Sequence, residues 1–98
     1  MVIIATKTIR NYWEKNPASK LPLQKWASVV KNANWSSFND VKKDFSTADY
    51  VGNDRIVFNI KGNDYRLIAV AIFRKRTLFV RFIGTHKEYD KIVDIKNI

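Results

Sequence analysis

The sequence predicts an α+β fold in which an N-terminal strand and two helices pack on one face of a mostly antiparallel sheet, followed by a short C-terminal helix. Residues 55–85 alternate apolar and polar side chains in three successive runs, and Gly62 and Asn63 separate the first two. Alternation is typical of strands, and a Gly-Asn pair is typical of a tight hairpin loop. Upstream, apolar residues recur at three- and four-residue spacing, which is typical of helices with one buried face. The 98 residues are expected to form one domain, residues 1–98.

The N-terminal third is predicted to contain a strand and two helices. Residues 2–5 form a short apolar run, which favours a strand. Residues 6–15 have helical spacing and stop before Pro17. Ser19 is the expected N-cap of a second helix that runs to about residue 33, with a proline in its first turn, where a missing N–H group costs little. The predicted buried stripe of this helix consists of Leu23, Trp26, Ala27, Val30 and Ala33.

A shorter helix and one more strand are predicted before the first hairpin. Ser37 and Asp40 have capping-box spacing, which predicts a helix from there to about residue 44. Residues 48–51 are expected to form a strand that ends in a turn at Gly52 and Asn53.

The first hairpin determines which side chains share a face of the sheet. A loop of Gly62 and Asn63 pairs Asn59 with Arg66, and paired residues lie on the same face. Asn59, Lys61, Asp64 and Arg66 are therefore expected on one polar face. The alternate residues of both strands are apolar, so the helices are expected to pack on the opposite face.

The second hairpin is expected to turn at Lys75 and Arg76. This register pairs Phe73 with Leu78, Ala71 with Val80, Ala69 with Phe82 and Arg66 with Thr85. Arg81 then lies beside Val70 on the polar face, whereas a one-residue slip would bury its charge at a high cost. Several other positions of the polar face are apolar, so this face is predicted to be a partly covered groove that is available to a ligand.

The last predicted strand leads directly into the C-terminal helix. Thr85 and Glu88 have capping-box spacing, so a helix is expected to begin there. His86, Tyr89 and Asp90 follow at three- and four-residue intervals, which places them on one side of that helix. The only histidine of the chain thus lies at the end of a strand that carries Arg81.

Composition narrows the class of partner. The net charge is +9 and the isoelectric point is about 10.0, which favours a polyanion: nucleic acid, an acidic protein or an anionic membrane surface. The chain has no cysteine, so it has neither disulfides nor a thiolate metal site. With a single histidine as well, no bound metal or cofactor is expected. No apolar run approaches the length of a membrane span, and a cytoplasmic location is expected.

Four stretches of the sequence resemble a known family. They are WEKNP at residues 13–17, the segment 26–35, RIVFNIKGNDYRLI at residues 55–68 and RFIGTHKEYDKI at residues 81–92. In these stretches the chain resembles the HigB toxins of bacterial toxin–antitoxin systems, within the RelE superfamily of messenger-RNA-cleaving toxins. The resemblance covers essentially the whole chain, and its last two stretches are the specific part.

The resemblance implies a RelE-like fold and a small ribonuclease. Such an enzyme cleaves messenger RNA in the A site of the ribosome and is neutralised by a HigA-type helix-turn-helix antitoxin, without a membrane partner. The residues that the resemblance places in or near the active site are Lys61, Arg66, Arg81, His86, Tyr89 and Asp90. RelE itself lacks the histidine and uses basic residues with a tyrosine, so His86 and Tyr89 both remain candidates for the principal acid or base.

These residue types suit RNA cleavage without a metal. The 2′-hydroxyl must lose a proton, the phosphorane must be stabilised and the 5′-oxygen must gain a proton. Histidine suits either proton transfer, and arginine suits phosphate oxygens through its planar fork of donors. The expected products carry a 2′,3′-cyclic phosphate and a 5′-hydroxyl. The residues predicted to bind RNA outside the catalytic set are Asn59, Arg74, Lys75, Arg76 and Lys87.

Less specific interpretations compete with this one. His86 could be structural, Tyr89 could belong to the core, and the arginines could be solvated strand residues. The main alternative function is a non-catalytic RNA- or ribosome-binding module on the same fold, which would tolerate loss of His86. A basic protein for an acidic partner is the third interpretation, and it predicts no dependence on RNA.

Overall fold

The computed structural model describes residues 1–98 and confirms the predicted fold class. The strands are β1 (Val2–Ile4), β2 (Asp49–Gly52), β3 (Arg55–Ile60), β4 (Tyr65–Ile72) and β5 (Thr77–Thr85). The α-helices are α1 (Thr6–Lys15), α2 (Lys20–Asn32), α3 (Phe38–Asp44) and α4 (His86–Asp90). Short 3-10 helices occur at Pro17–Ser19, Phe73–Lys75 and Ile95–Asn97. The five strands form one sheet in the order β1-β5-β4-β3-β2, where β1 runs parallel to β5 and all other neighbours are antiparallel.

The core lies between one face of the sheet and helices α1 to α3. Phe58 of β3 is fully buried there, and its ring makes edge contacts with Trp26 and Phe45, with centroid distances of 5.3 and 5.2 Å. Trp35 stacks on the same ring at 6.4 Å. Trp26 and Trp35 are therefore core residues, which confirms the predicted burial of Trp26, and this face is called the helix-covered face below.

Ser19 and Ser37 occupy the predicted N-cap positions of α2 and α3, but neither side chain caps its helix. Ser19 has helical backbone angles, so its hydroxyl donates to the Asn16 carbonyl at 2.6 Å instead of capping α2. Ser37 does occupy the N-cap of α3, but its side chain makes no capping hydrogen bond. The Asp40 carboxylate accepts from the main-chain N–H of Ser36 at 2.8 Å instead, and it pairs with Lys43 at 3.7 Å.

The first hairpin has the predicted register. Asn59 lies opposite Arg66, and Val57 lies opposite Ile68. The loop closes through a hydrogen bond of 3.1 Å from the Asp64 N–H to the Lys61 carbonyl.

The predicted register of the second hairpin is wrong by two residues next to its turn. The loop spans Phe73 to Arg76, because a 3-10 turn ends at Arg76 in a left-handed conformation with φ 53°. The observed pairs next to the turn are Ile72 with Thr77, Ala71 with Leu78 and Ala69 with Val80. A loop of four residues, rather than two, accounts for this shift.

A β-bulge at Arg81 changes the register again. Ala69 pairs with Val80 while the next residue, Ile68, pairs with Phe82, so Arg81 is the additional residue of β5. Phe82 is therefore not on the helix-covered face as predicted, and the partner of Arg66 is Gly84 rather than Thr85. Arg81 is exposed because of the bulge, so its charge is not buried, as predicted, although the register differs from the predicted one.

The other face of the sheet is called the polar face. Its residues are Arg55, Val57 and Asn59 of β3, Arg66, Ile68 and Val70 of β4, and Phe79, Arg81, Phe82 and Gly84 of β5. Val57 and Ile68 are buried here, as a partly covered groove requires. The C-terminal residues reach this face, since the Asn53 side chain donates to the Lys96 carbonyl at 2.9 Å and Arg55 donates to the main-chain oxygen of Ile98 at 2.8 Å.

No helix in the chain combines the length and the apolar character that crossing a membrane requires.

Candidate active site

The end of β5 holds α4 in a fixed position. The Thr85 hydroxyl accepts from the Glu88 N–H at 3.2 Å, and the Glu88 carboxylate accepts from the Thr85 N–H at 2.8 Å, so the predicted capping box is confirmed. The main-chain N–H of His86 donates to the Asp64 carbonyl at 3.3 Å. The first turn of α4 is thus tied both to its own strand and to the first hairpin.

His86 and Asp90 form a hydrogen-bonded pair one helical turn apart. The distance from His86 Nδ1 to Asp90 Oδ2 is 2.9 Å. A carboxylate can only accept, so Nδ1 must carry the proton and the neutral ring has its lone pair on Nε2. The two side chains are about half exposed, at 45% and 54%. The ring therefore has a defined orientation while Nε2 remains available to a substrate.

Arg66 and Tyr89 form the second contact of the site. The guanidinium carbon of Arg66 lies 4.6 Å from the centre of the Tyr89 ring, within the range of a cation–π interaction. Arg66 Nε is buried and has no hydrogen-bond partner within the protein. The arginine is thus held by stacking and has no carboxylate partner.

Gly84 makes room for this arrangement. It lies opposite Arg66, and a Cβ atom at its position would come within 2.6 Å of the Phe82 ring and 3.2 Å of Glu88 Cβ. A larger residue would push the Phe82 ring away or displace the first turn of α4.

Lys61 lies at the hairpin end of the same cluster. Its ammonium group is 3.7 Å from the Asp64 carboxylate, and both side chains are well exposed. Because the Asp64 carbonyl binds the N–H of His86, the hairpin loop and α4 are neighbours. At one end of the sheet the structure therefore places four of the six predicted catalytic residues, Arg66, His86, Tyr89 and Asp90, next to the hairpin loop that carries the fifth, Lys61.

The sixth residue, Arg81, lies farther along the polar face. Its Nε donates to the main-chain oxygen of Ile98 at 3.2 Å, and the same oxygen accepts from Arg55. Arg55 was not predicted as a site residue, although it has the same parity along β3 as Val57 and Asn59. The alternation of side chains along β3 is the sequence signal that indicates a position on the polar face for Arg55.

The predicted RNA-binding residues are spread over the molecule. Asn59 is half-buried next to the cluster, where its amide donates to the Thr47 carbonyl at 3.3 Å while its oxygen has no partner. Lys87 is exposed on α4. Arg74, Lys75 and Arg76 form the loop at the other end of β4 and β5, about 25 Å from His86 at the usual rise per strand residue. Arg76 is also bound to Asn34, with 2.5 Å between the guanidinium and the amide oxygen.

The largest cleft lies outside this cluster. It has a volume of about 560 Å³ between the start of α2, Phe45 and the first hairpin, and it shares only Lys61 with the cluster. No three His, Asp or Glu side chains lie close enough together to hold a metal ion.

One side chain on the helix-covered face behind the cluster, Tyr12, has a shifted pKa. Burial, followed by the nearby Glu88 and Tyr65, raises the pKa of Tyr12 above its ordinary value. The Tyr12 ring meets that of Tyr65 edge-on at 6.0 Å, so α1 supports the same end of the sheet from the helix-covered face.

The fold agrees with what the sequence comparisons find. Residues 19–92 match the model of the HigB toxin family, described as a RelE-like toxic component of a toxin–antitoxin system, and the chain belongs to this family. It is 29% identical over 93 residues to the mRNA interferase toxin HigB of Escherichia coli K12, covering 92% of this chain and 88% of that protein. It is 30% identical over 94 residues to the mRNA interferase HigB of Escherichia coli O6:H1, covering 94% and 91% of the two chains.

Proposed function

We propose that this toxin is an endoribonuclease that cleaves messenger RNA in the A site of the ribosome and so blocks translation in the cytoplasm. The observation that carries the proposal is the His86–Asp90 pair beside the stacked Arg66 and Tyr89. A non-catalytic RNA-binding module would have no need for an oriented histidine with one free nitrogen. The names of the relatives, mRNA interferases, support the same reaction.

Each residue of the cluster has a role in the proposed reaction. His86 Nε2 takes the proton of the 2′-hydroxyl as its oxygen attacks phosphorus, while Asp90 keeps Nδ1 protonated. Arg66 and Lys61 stabilise the charge of the phosphorane. As the bond from phosphorus to the 5′-oxygen breaks, that oxygen takes a proton, for which the Tyr89 hydroxyl is our candidate. The products are a 2′,3′-cyclic phosphate and a 5′-hydroxyl, and no metal takes part.

The ribosome has a positioning role in this proposal. The cluster is half exposed and contains many phosphate-binding groups but no strong base, so free RNA is poorly aligned for attack. Alignment alone can contribute several kcal/mol to a rate. A HigA-type antitoxin with a helix-turn-helix domain is the proposed neutralising partner.

Expression without an antitoxin tests the proposal. Growth should stop, and mapping of 5′ ends should reveal new breaks within translated codons that end in a 5′-hydroxyl. Cleavage of translated RNA by the purified toxin should not follow the content of any bound metal, and naked RNA should be cleaved slowly. Intact transcripts in cells that contain the folded toxin would exclude the enzyme.

A further inference from the structure

We infer that the cleft at the start of α2 binds the base of the nucleotide next to the cleaved phosphate. The cleft lies between the start of α2, Phe45 and the first hairpin, and its volume of about 560 Å³ is in the usual range for a small-ligand site. Its buried lining is apolar and consists of Trp26 and Ile60, with the half-buried ring of Phe45 beside them. Aromatic side chains are the platforms on which proteins stack unpaired bases.

Two side chains that line this cleft each have a polar atom without a hydrogen-bond partner in the protein. These atoms are Trp26 Nε1, in a residue that is only 2% exposed, and Asn59 Oδ1. The amide of Asn59 is held by one hydrogen bond of 3.3 Å, to the Thr47 carbonyl, so its side chain can rotate toward a ligand. The indole is a donor and the amide oxygen is an acceptor, and the pairing edge of every nucleobase presents both kinds of group. Buried polar atoms are usually paired, so the two free atoms indicate a polar, planar ligand rather than a purely apolar one.

The cleft opens at the free edge of β3. The neighbouring strand β2 pairs with β3 only as far as Val57, so residues 58–60 have no strand partner on that side. Asn59 of the polar face and Ile60 of the helix-covered face both line the cleft, so the cleft connects the two faces at this edge. Asn59 lies directly opposite Arg66, and neighbouring strands are about 4.8 Å apart. An RNA strand whose phosphate lies at Arg66 can therefore turn an adjacent base into the cleft.

The charges at the rim of the cleft suit a nucleotide. The rim carries Lys25 and Lys61 against the single carboxylate of Asp44. That carboxylate accepts from the Trp35 indole at 2.8 Å, so it is already bound within the protein. Lys61 stabilises the cleaved phosphate in the proposed reaction, so the cleft begins where that phosphate lies. This inference rests on the proposed function, because it assumes that RNA is cleaved at the cluster.

Removing single bases from the RNA tests the cleft during cleavage. Messenger RNAs with one abasic nucleotide at each position beside the cleavage point are placed on programmed ribosomes, and single-turnover cleavage is measured. For the wild type, one of these positions should slow cleavage by about tenfold, the scale of one stacked base. Val29→Trp fills the cleft, so it should cleave the intact RNA about as slowly, and the abasic nucleotide should slow it no further.

A matched variant makes the cleavage result specific. Thr8→Trp adds the same bulk to the exposed surface of α1, outside the cleft, and should behave as the wild type, including its loss of rate on the abasic RNA. An abasic effect that persists at full size in Val29→Trp would mean that the ribosome holds the base, and it would overturn the inference. Circular dichroism must report a folded protein for each variant. If Val29→Trp does not fold, the binding measurement below decides.

A binding measurement separates this inference from the proposed function. The nitrogen-15-labelled protein is titrated with each of the nucleoside 3′-monophosphates, and the assigned indole N–H signal of Trp26 is followed by NMR. At least one nucleotide should shift this signal saturably, whereas the indole signal of Trp13 on α1 should stay in place. Lys25→Gln should weaken the binding several-fold. Arg10→Gln, which removes a charge from the exposed surface of α1, across the sheet from the polar face, should bind as the wild type does.

The possible results of the titration lead to different conclusions. If the wild type cleaves nothing but a nucleotide shifts the Trp26 signal, the proposed function fails and the base site stands. If inorganic phosphate produces the same shift as the nucleotides, the cleft does not bind a base and the inference is wrong. It is also wrong if N-acetyl-leucinamide shifts the signal and the nucleotides do not, because the cleft would then accept an apolar side chain of a protein partner.

Discussion

The two faces of the sheet treat polar atoms differently. On the helix-covered face, rings pack against Phe58, and the Trp35 indole donates to Asp44 at 2.8 Å. On the polar face, three half-buried side chains leave an atom without a partner, Arg55 Nε, Asn59 Oδ1 and Arg66 Nε, whereas the helix-covered face has one such atom, Trp26 Nε1. Buried polar atoms are usually satisfied, so such a concentration marks a surface selected for something other than stability. The helix-covered face is thus expected to determine folding, and the polar face to determine activity.

The largest effect, a loss of stability, is expected from a substitution on the helix-covered face. Phe58→Ala removes the ring against which two tryptophans and Phe45 pack. The free energy of unfolding should fall by about 3–5 kcal/mol, the usual cost of this truncation in a core. Urea denaturation followed by circular dichroism measures it. A loss below about 1 kcal/mol, as for a surface site, would contradict the assignment of this face as the core.

The next largest effect, a loss of cleavage rate, is expected from a substitution on the polar face. Arg66→Ala should slow single-turnover cleavage of translated RNA by about a hundredfold, the scale of one charge-stabilising group. The free energy of unfolding should change by only about 1 kcal/mol, the scale of a partly exposed cation–π contact. Arg66→Lys keeps the charge but loses the planar fork of donors, so its cleavage rate should lie between those of the wild type and Arg66→Ala. A lysine variant as slow as the alanine variant would mean that geometry matters and charge alone does not.

A smaller loss of stability is expected from a substitution at the start of α4. Thr85→Ala removes the cap of α4, and the free energy of unfolding should fall by about 1 kcal/mol. Because α4 carries His86, Tyr89 and Asp90, cleavage should slow slightly as well. Thr8→Ala, at an exposed position of α1, is the matched control and should change neither quantity. Equal thermal midpoints for the two variants would mean that the capping box contributes nothing to stability.

The smallest effect concerns pH. The pKa of Tyr12 is raised in the folded state, first by burial and then by Glu88 and Tyr65. A proton bound more tightly in the folded state stabilises it below the unfolded pKa, near pH 10, and this contribution is lost as pH rises through the folded pKa. The wild type should therefore lose stability in strong alkali faster than Tyr12→Phe. Thermal midpoints at several pH values above neutrality measure the difference, and parallel curves would contradict it.

Local patterns were sufficient to predict much of this architecture. The periodicity of α1 and α2, the Gly62-Asn63 loop and the capping box at Thr85 all depend on residues close in sequence, and the structure confirms each. The His86–Asp90 contact follows from helix geometry alone. These elements position most of the candidate site.

Other features depend on contacts that no local pattern reveals. Alternation has a period of two and contains no signal for an additional residue, so the bulge at Arg81 could not be found. The loop ending at Arg76 lacks the glycine, asparagine or aspartate that usually marks a left-handed turn residue. The path of the C-terminal residues depends on hydrogen bonds from Asn53, Arg55 and Arg81 to main-chain oxygens that are distant in sequence.

The central claim is that His86 transfers a proton in RNA cleavage on the polar face. Single-turnover cleavage of messenger RNA on programmed ribosomes tests it most directly, with His86→Ala compared with the wild type and with Arg10→Gln. The account predicts a loss of roughly a hundredfold or more in rate, the usual scale for a general acid or base, with ribosome association within about twofold of the wild type. Cleavage by His86→Ala at the wild-type rate would contradict it and would leave the chemistry to Tyr89 and the arginines.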